Sequence, residues 1–212
     1  VITVNTLPTS VRQHLAALRA LLVLTVLLGL AYPLAVTGIG QLAFPGPANG
    51  SLIERDGRVV GSTLIGQPFV DGQGNPLPQW FQSRPSAAVD SSNSADPGYN
   101  PGFSQPSNKG PSNSDLIKLI GERRAAVAAF NQVPPDRVPA DAITGSGSGL
   151  DPHISPEYAY LQVDRVARAR GLDPAAVRSL VEQHVQGRVL GFLGQPRVNV
   201  VELNLALETG GR

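Results

Sequence analysis

The apolar and polar positions divide the chain into one long uncharged run and an amphipathic remainder. Ala20 to Phe44 holds no charge, Arg12 and Arg19 precede it, and no charge follows until Glu54. About 25 residues at the helical rise span roughly 37 Å, enough to cross a bilayer core with some tilt. This predicts one membrane helix over residues 20–44. No acid occurs in the first 53 residues, so the positive-inside rule makes residues 1–19 a cytoplasmic N-terminal segment and residues 45–212 an extracytoplasmic domain. A cleaved signal peptide is the rival reading, but the run exceeds the usual h-region and no clean A-x-A site follows.

Beyond the run the periodicity changes repeatedly. Leu52-Ile53 and Val59-Val60 flank Asp56-Gly57, the signature of a β-hairpin with a type I′ turn. Residues 67–114 are crowded with Pro, Gly, Asn and Ser, but Phe69, Trp80, Phe81, Tyr99 and Phe103 punctuate them and are expected to dock the segment onto a surface. Three helices follow from cap signals: Asp115 to about Asn131 behind Ser114, Pro156 to Gly171 behind Ser155, and Pro174 to Gly187 behind Asp173. His184 falls on the apolar face of the last and reads as a hydrogen-bonded core histidine. Val201, Leu203, Leu205 and Leu207 alternate with polar or small residues, which predicts a half-buried strand, with a phase slip after Val200 that suggests a bulge. Strands and helices do not alternate strictly, so the expected class is α+β: one transmembrane helix plus a single mixed α+β extracytoplasmic domain.

Charge narrows the partners. All 16 acids lie after residue 53 against 15 of the 17 Lys and Arg, so the outer part is near neutral, with no polybasic stretch to bind nucleic acid. The chain has no Cys, which removes disulfides, thiolate metal sites and Cys nucleophiles.

Candidate chemistry concentrates in Thr144 to Pro156. Ser146, Gly147, Ser148 and Gly149 resemble a phosphate cradle, but no Lys follows and no strand precedes. Asp151, His153 and Ser155 have the residue types of a triad, yet alternate residues on one short loop rarely align as one. Metal ligation by Asp151 and His153 lacks further clustered ligands. A shaped loop that launches a helix fits these residues better, so no catalytic or metal-binding residue is assigned. Within the membrane run, Thr25, Gly29, Pro33, Thr37 and Gln41 recur every four residues, a stripe of small and hydrogen-bonding side chains suited to packing against other membrane helices.

Several blocks in order resemble one family, the C subunit (KdpC) of the bacterial Kdp potassium-transporting P-type ATPase. They are Tyr32-Pro33-Leu34 with Thr37-Gly38 and Gln41, Gly61-Ser62 with Leu64 to Gln67 and Phe69, Phe81 with Arg84 to Ala87, Ser146 to Pro156 followed by Gln162, Arg165-Val166-Ala167 and Ala169-Arg170, and Pro196 to Val200 with Leu203 to Leu207. Ser104 to Ser114 departs from the family pattern by losing two glycines, Gly145 stands where Ala is usual, and Gln195 where Glu is usual.

The resemblance implies a single-pass accessory subunit of a high-affinity potassium uptake complex in the cell membrane. Its partners would be a channel-like potassium-translocating subunit and a P-type ATPase subunit, besides membrane lipid. ATP and Mg would act at that ATPase subunit, potassium would be the transported ion, and this chain alone would hold no cofactor. The family is also described as ATP-binding, a catalytic chaperone that raises the ATP affinity of the ATPase subunit through a transient complex with ATP. The expected partner contacts are the five stripe residues together with Ser146, Gly147, Ser148, Gly149, Asp151 and His153. The alternatives are a membrane-tethered extracytoplasmic hydrolase or a ligand-binding module.

Overall fold

A computed structural model describes residues 7–93 and 95–210. The backbone falls into two compact units, residues up to Ser51 and residues from Leu52 onward.

The first unit is helical. α1 (Thr9–Val26) passes through a π-helical turn (Leu27–Ala31) into α2 (Tyr32–Ala43), and a short α3 (Pro45–Ala48) follows. The π turn has a local cause. Pro33 lacks the N–H that would bond the Gly29 carbonyl, and its ring crowds that oxygen, so the helix widens where the ladder is broken. The continuous helix Thr9–Ala43 is long and apolar enough to cross a membrane.

The second unit opens with the hairpin β1 (Leu52–Arg55) and β2 (Arg58–Ser62). Asp56 and Gly57 carry the two positive φ angles, 49° and 72°, that a type I′ turn requires. An ion pair from Arg55 to Glu208 ties the hairpin to the C-terminal helix. α4 (Ser114–Asn131) begins one residue earlier than expected, because the Asn113 side chain, not Ser114, caps it by accepting from Leu116 N (3.1 Å). A three-stranded antiparallel sheet has the order β3 (His153–Ile154), β5 (Arg197–Asn199), β4 (Val185–Gln186). α5 (Pro156–Arg170) and α6 (Pro174–Gln183) carry the expected caps: Ser155 accepts from Tyr158 N, Asp173 accepts from Ala175 N, and Gly171 turns left-handed after α5.

Two expectations are corrected. α6 stops at Gln183, not Gly187, because Val185 and Gln186 form an edge strand on Val198 and Arg197. The half-buried His184 ring donates to Leu180 O (2.8 Å) and satisfies one of the carbonyls the helix end leaves open. Val201 to Leu207 is not a strand but the body of α7 (Val200–Gly210). Its buried positions Val200, Leu203, Asn204 and Leu207 follow helical spacing, and Asn199 Oδ1 caps it by accepting from Val201 N and Glu202 N. The phase slip after Val200 is this strand-to-helix switch, not a bulge.

The core joins α5, α6, α7 and β5 through Val163, Val166, Val177, Val181, Val198 and Leu203, with Phe81 from the long segment fully buried among them. Side-chain amides hold that segment where a neighbouring strand would otherwise stand. Asn204 accepts from Phe81 N and donates to Phe81 O, both at 2.9 Å. Gln162 accepts from Gln82 N (2.7 Å) and donates to Gln82 O (3.2 Å). The buried Arg165 adds bonds to the Pro78 and Trp80 carbonyls. Tyr99 is buried as well, Phe69 meets Trp80 with centroids 6.0 Å apart, and Phe103 stays exposed.

Candidate functional site

The Thr144 to Pro156 loop is fastened along its length. Gly66 N donates to Leu150 O (2.8 Å), Ser86 Oγ to Gly149 O (2.7 Å), and Val200 N to Pro152 O (2.9 Å). Ser146 Oγ accepts from Gly149 N (2.9 Å) and Ser148 Oγ from Leu150 N (3.1 Å), so both hydroxyls spend acceptor capacity on shaping the turn. Gly149 is the position that needs glycine. Its φ is +71°, and an added Cβ would lie 2.8 Å from both Ala88 N and Gln105 O. Gly147 meets nothing within 4 Å of such a Cβ and sits exposed.

Past Gly149 the chain borders a polar cleft of about 470 Å³ whose walls include Arg84, Asp141, Asp151, His153, Ser155, Glu157 and Arg197. Asp151 lies at its charged centre. Its carboxylate accepts from the His153 backbone N–H and ring Nδ1, both at 3.0 Å, and pairs with Arg84 at 3.4 Å. Burial alone would raise the Asp151 carboxyl. The two His153 hydrogen bonds and the adjoining His153 and Arg84 charges outweigh it and hold the group below the usual carboxylate range. Arg84 is itself positioned by the Thr144 and Gly145 carbonyls (3.3 and 3.2 Å).

This arrangement does not form a hydrolytic relay. Ser155 Oγ donates to Asp141 Oδ1 (2.9 Å) and accepts from Tyr158 N (3.0 Å), while His153 faces Asp151. A nucleophilic serine needs its proton aimed at the histidine that will take it; here the proton points at a second carboxylate and the hydroxyl serves as a helix cap. Among the described residues no group of three or more His, Asp or Glu side chains is placed to hold a metal ion.

Of the expected contact residues, the structure brings Asp151 and His153 together at the cleft and sets Ser146, Gly147, Ser148 and Gly149 along the turn leading into it. Thr25, Gly29, Pro33, Thr37 and Gln41 lie on the long apolar helix, all exposed. Gln41 exchanges reciprocal amide hydrogen bonds with Asn49 (3.2 and 3.0 Å), so its polar end is already paired within its own unit. Sequence reasoning assigned no role to Asp141, Glu157 or Arg197, which reach the cleft from three separate stretches; Arg84 and Arg197 stood in blocks singled out earlier, but not as cleft residues.

The family model described as K+-transporting ATPase, c chain (KdpC) matches residues 14–209. The chain is 54% identical over 198 residues to the potassium-transporting ATPase KdpC subunit of Kineococcus radiotolerans, covering 93% of this chain and 94% of that one. It is 50% identical over 215 residues to the KdpC subunit of Streptomyces avermitilis, with 96% of each covered, and 50% identical over 198 residues to that of Mycobacterium bovis, covering 93% and 98%.

Proposed function

The chain belongs to the KdpC family, and from that premise we propose that it serves as the assembly and nucleotide-affinity subunit of an ATP-driven potassium uptake complex. The observation that carries this reading is that the likeness runs through both the membrane-length helix and the outer unit, at about half identity.

In this reading residues 20–44 cross the membrane, residues 1–19 face the cytoplasm, and residues 45–212 form the extracytoplasmic domain. Arg12 and Arg19, with no acid before Glu54, support that orientation. The partners are a channel-like potassium-translocating subunit and a P-type ATPase subunit, where ATP and Mg act. Thr25, Gly29, Pro33 and Thr37 offer partner helices a face of small side chains, and Gln41 adds a polar one near its end. Ser146 to His153 contributes the outer contact, supported by its fixed backbone and by the charged cleft it borders.

ATP is cytoplasmic and the outer domain is not, so its effect on ATP affinity is allosteric. Anchor and domain together favour one conformation of the pump, and whatever favours that conformation favours nucleotide bound to it, since the coupling is reciprocal. The test is purification of the tagged full-length chain in mild detergent, followed by measurement of ATP affinity in the recovered complex with this chain present or depleted. Recovery of a P-type ATPase and a channel-like polytopic protein, with weaker ATP binding on depletion, is the expected result. A lone stable protein overturns the reading and returns the tethered hydrolase or binding module to consideration.

A further inference from the structure

The connection between β4 and β5 is exposed at every residue from Gly187 through Pro196, as is Arg197 where β5 begins. It nevertheless carries Val189, Leu190, Phe192 and Leu193, which are 57%, 79%, 68% and 50% exposed. The tip is a closed turn, since Val189 N donates to Leu193 O (3.0 Å) and Leu193 N to Val189 O (2.9 Å). Leu190 sits there at φ +54°, next to Gly191 at +81°. The left-handed region costs a leucine about 1 kcal/mol, and an asparagine or glycine would satisfy the turn better. The side chain at 190 therefore opposes both backbone preference and solvation, which is expected where something covers it.

We propose that Val189 to Leu193 is a docking knob that seats in an apolar socket on another subunit of the potassium-pump complex, with carboxylates at the socket's rim facing Arg188 and Arg197. This rests on the accessory-subunit reading above. No acid interrupts the chain between Glu182 and Glu202, so along the sequence the charges nearest the knob are Arg188 and Arg197. Arg197 is steadied by Gln186 Oε1, 3.0 Å from its Nε. An apolar centre with a polar, charged margin is the anatomy of a protein interface. A bilayer surface suits the knob and its arginines but not the surroundings. Gln195, Pro196 and Arg197 also line a cleft where Asp151 is paired with Arg84 but Asp141, Asp151 and Glu157 still outnumber the two arginines, an excess that disfavours anionic head groups and that a folded partner can meet with donors.

The experiment uses the full-length chain assembled with its partner subunits in mild detergent. A photo-crosslinking side chain placed at position 190 is expected to give an adduct with a partner polypeptide. The double variant Leu190→Asn with Phe192→Ser is expected to recover at least about tenfold less partner. Its thermal unfolding should match the parent's, because both side chains are exposed and asparagine suits the turn. Adducts confined to lipid, or undiminished recovery by the double variant, overturn the proposal. If the parent chain itself recovers no partner, the accessory-subunit reading fails and the knob falls with it. Parent recovery with an equally competent variant removes the knob alone.

Discussion

Replacing Arg165 with Met should loosen the second unit, from Leu52 onward, at one identifiable seam. Arg165 is 4% exposed and makes none of the ion pairs found among the described residues. Its guanidinium instead donates to Asn131 Oδ1 (2.9 Å), Trp80 O (3.0 Å), Gln162 Oε1 (2.7 Å) and Pro78 O, and lies 4.5 Å from the centroid of the Phe130 ring. Burial pushes the group down to about 10, so desolvation offsets part of what its hydrogen bonds contribute. Four charge-assisted hydrogen bonds hold it there, each worth about 1.5 kcal/mol where desolvation is modest and less where, as here, it is severe. Breaking a buried charged network of this kind costs roughly 3 kcal/mol, and Arg165→Met does so while stranding the Asn131 oxygen and leaving the Gln162 oxygen with Gln82 N alone.

For a unit of this size that loss lowers the unfolding midpoint by roughly 6–12 °C. Trp80, the only tryptophan, lies in the fastened segment with Arg170 4.2 Å from its ring centroid, so its emission reports on the seam directly. Thermal unfolding of the full chain in detergent, followed by Trp80 fluorescence, should show the lower midpoint together with a red shift before the main transition. Arg165→Lys should lose nearly as much, because one ammonium cannot reproduce the four bonds that a planar guanidinium fork makes at once. A midpoint within about 2 °C of the parent for Arg165→Met would refute the accounting, since a neutral result means desolvation cancels the bonds.

Gly149→Ala should destabilise the second unit by roughly 2–4 kcal/mol, adding left-handed strain to the clash with Ala88 N and Gln105 O, whereas Gly147→Ala, open on all sides, should stay near neutral; chemical denaturation of the two variants checks the contrast. Stability should also fall as pH rises above about 10, the ordinary tyrosine value. Burial raises Tyr99 and Tyr158 above it, so the folded state keeps protons that the unfolded chain releases, and this stability is full below that pH and lost on the way to the raised values. Arg165, lowered in the folded state, acts in the opposite sense above about 10 but is one group against two. Phenolate absorbance from Tyr99 and Tyr158 should therefore appear only with unfolding.

What could be read from the chain was local, and what could not depended on distant partners. Asp56-Gly57, Ser155-Pro156 and Asp173-Pro174 act on backbone within a few residues, so their turn and caps stand where the residues announced them. α7 was misread because two periods coincide at Leu203 and Leu207, and because a polar Asn204 between leucines reads as facing solvent. It faces the core instead, where the Phe81 backbone, 123 residues away in sequence, needs a donor and an acceptor. Gln162 serves Gln82 in the same way across 80 residues. A buried amide that stands in for a strand leaves no hydrophobic pattern to detect. The cleft was half legible for a related reason: Asp151 and His153 are neighbours in sequence, while Asp141, Glu157 and Arg197 meet them only through the fold.

The same long-range fastening bears on how the second unit can act. A surface that must order itself on contact gives up part of its binding free energy to side-chain and loop entropy, roughly 0.5–1.5 kcal/mol for each side chain immobilised. At the cleft much of that ordering is already complete. Arg84 is held by two carbonyls, Asp151 by His153 and Arg84, and the Ser155 hydroxyl by Asp141, while Gly149 to Pro152 is bonded to Ser86, Gly66 and Val200. The apolar turn at Leu190 is likewise closed by its own backbone. An enzyme would need part of this surface to move protons or admit substrate, and Ser155, pinned as a cap, does neither. A subunit that works by contact is served by a preformed face, and in this chain buried amides and an arginine hold in place a segment whose composition alone reads as loop.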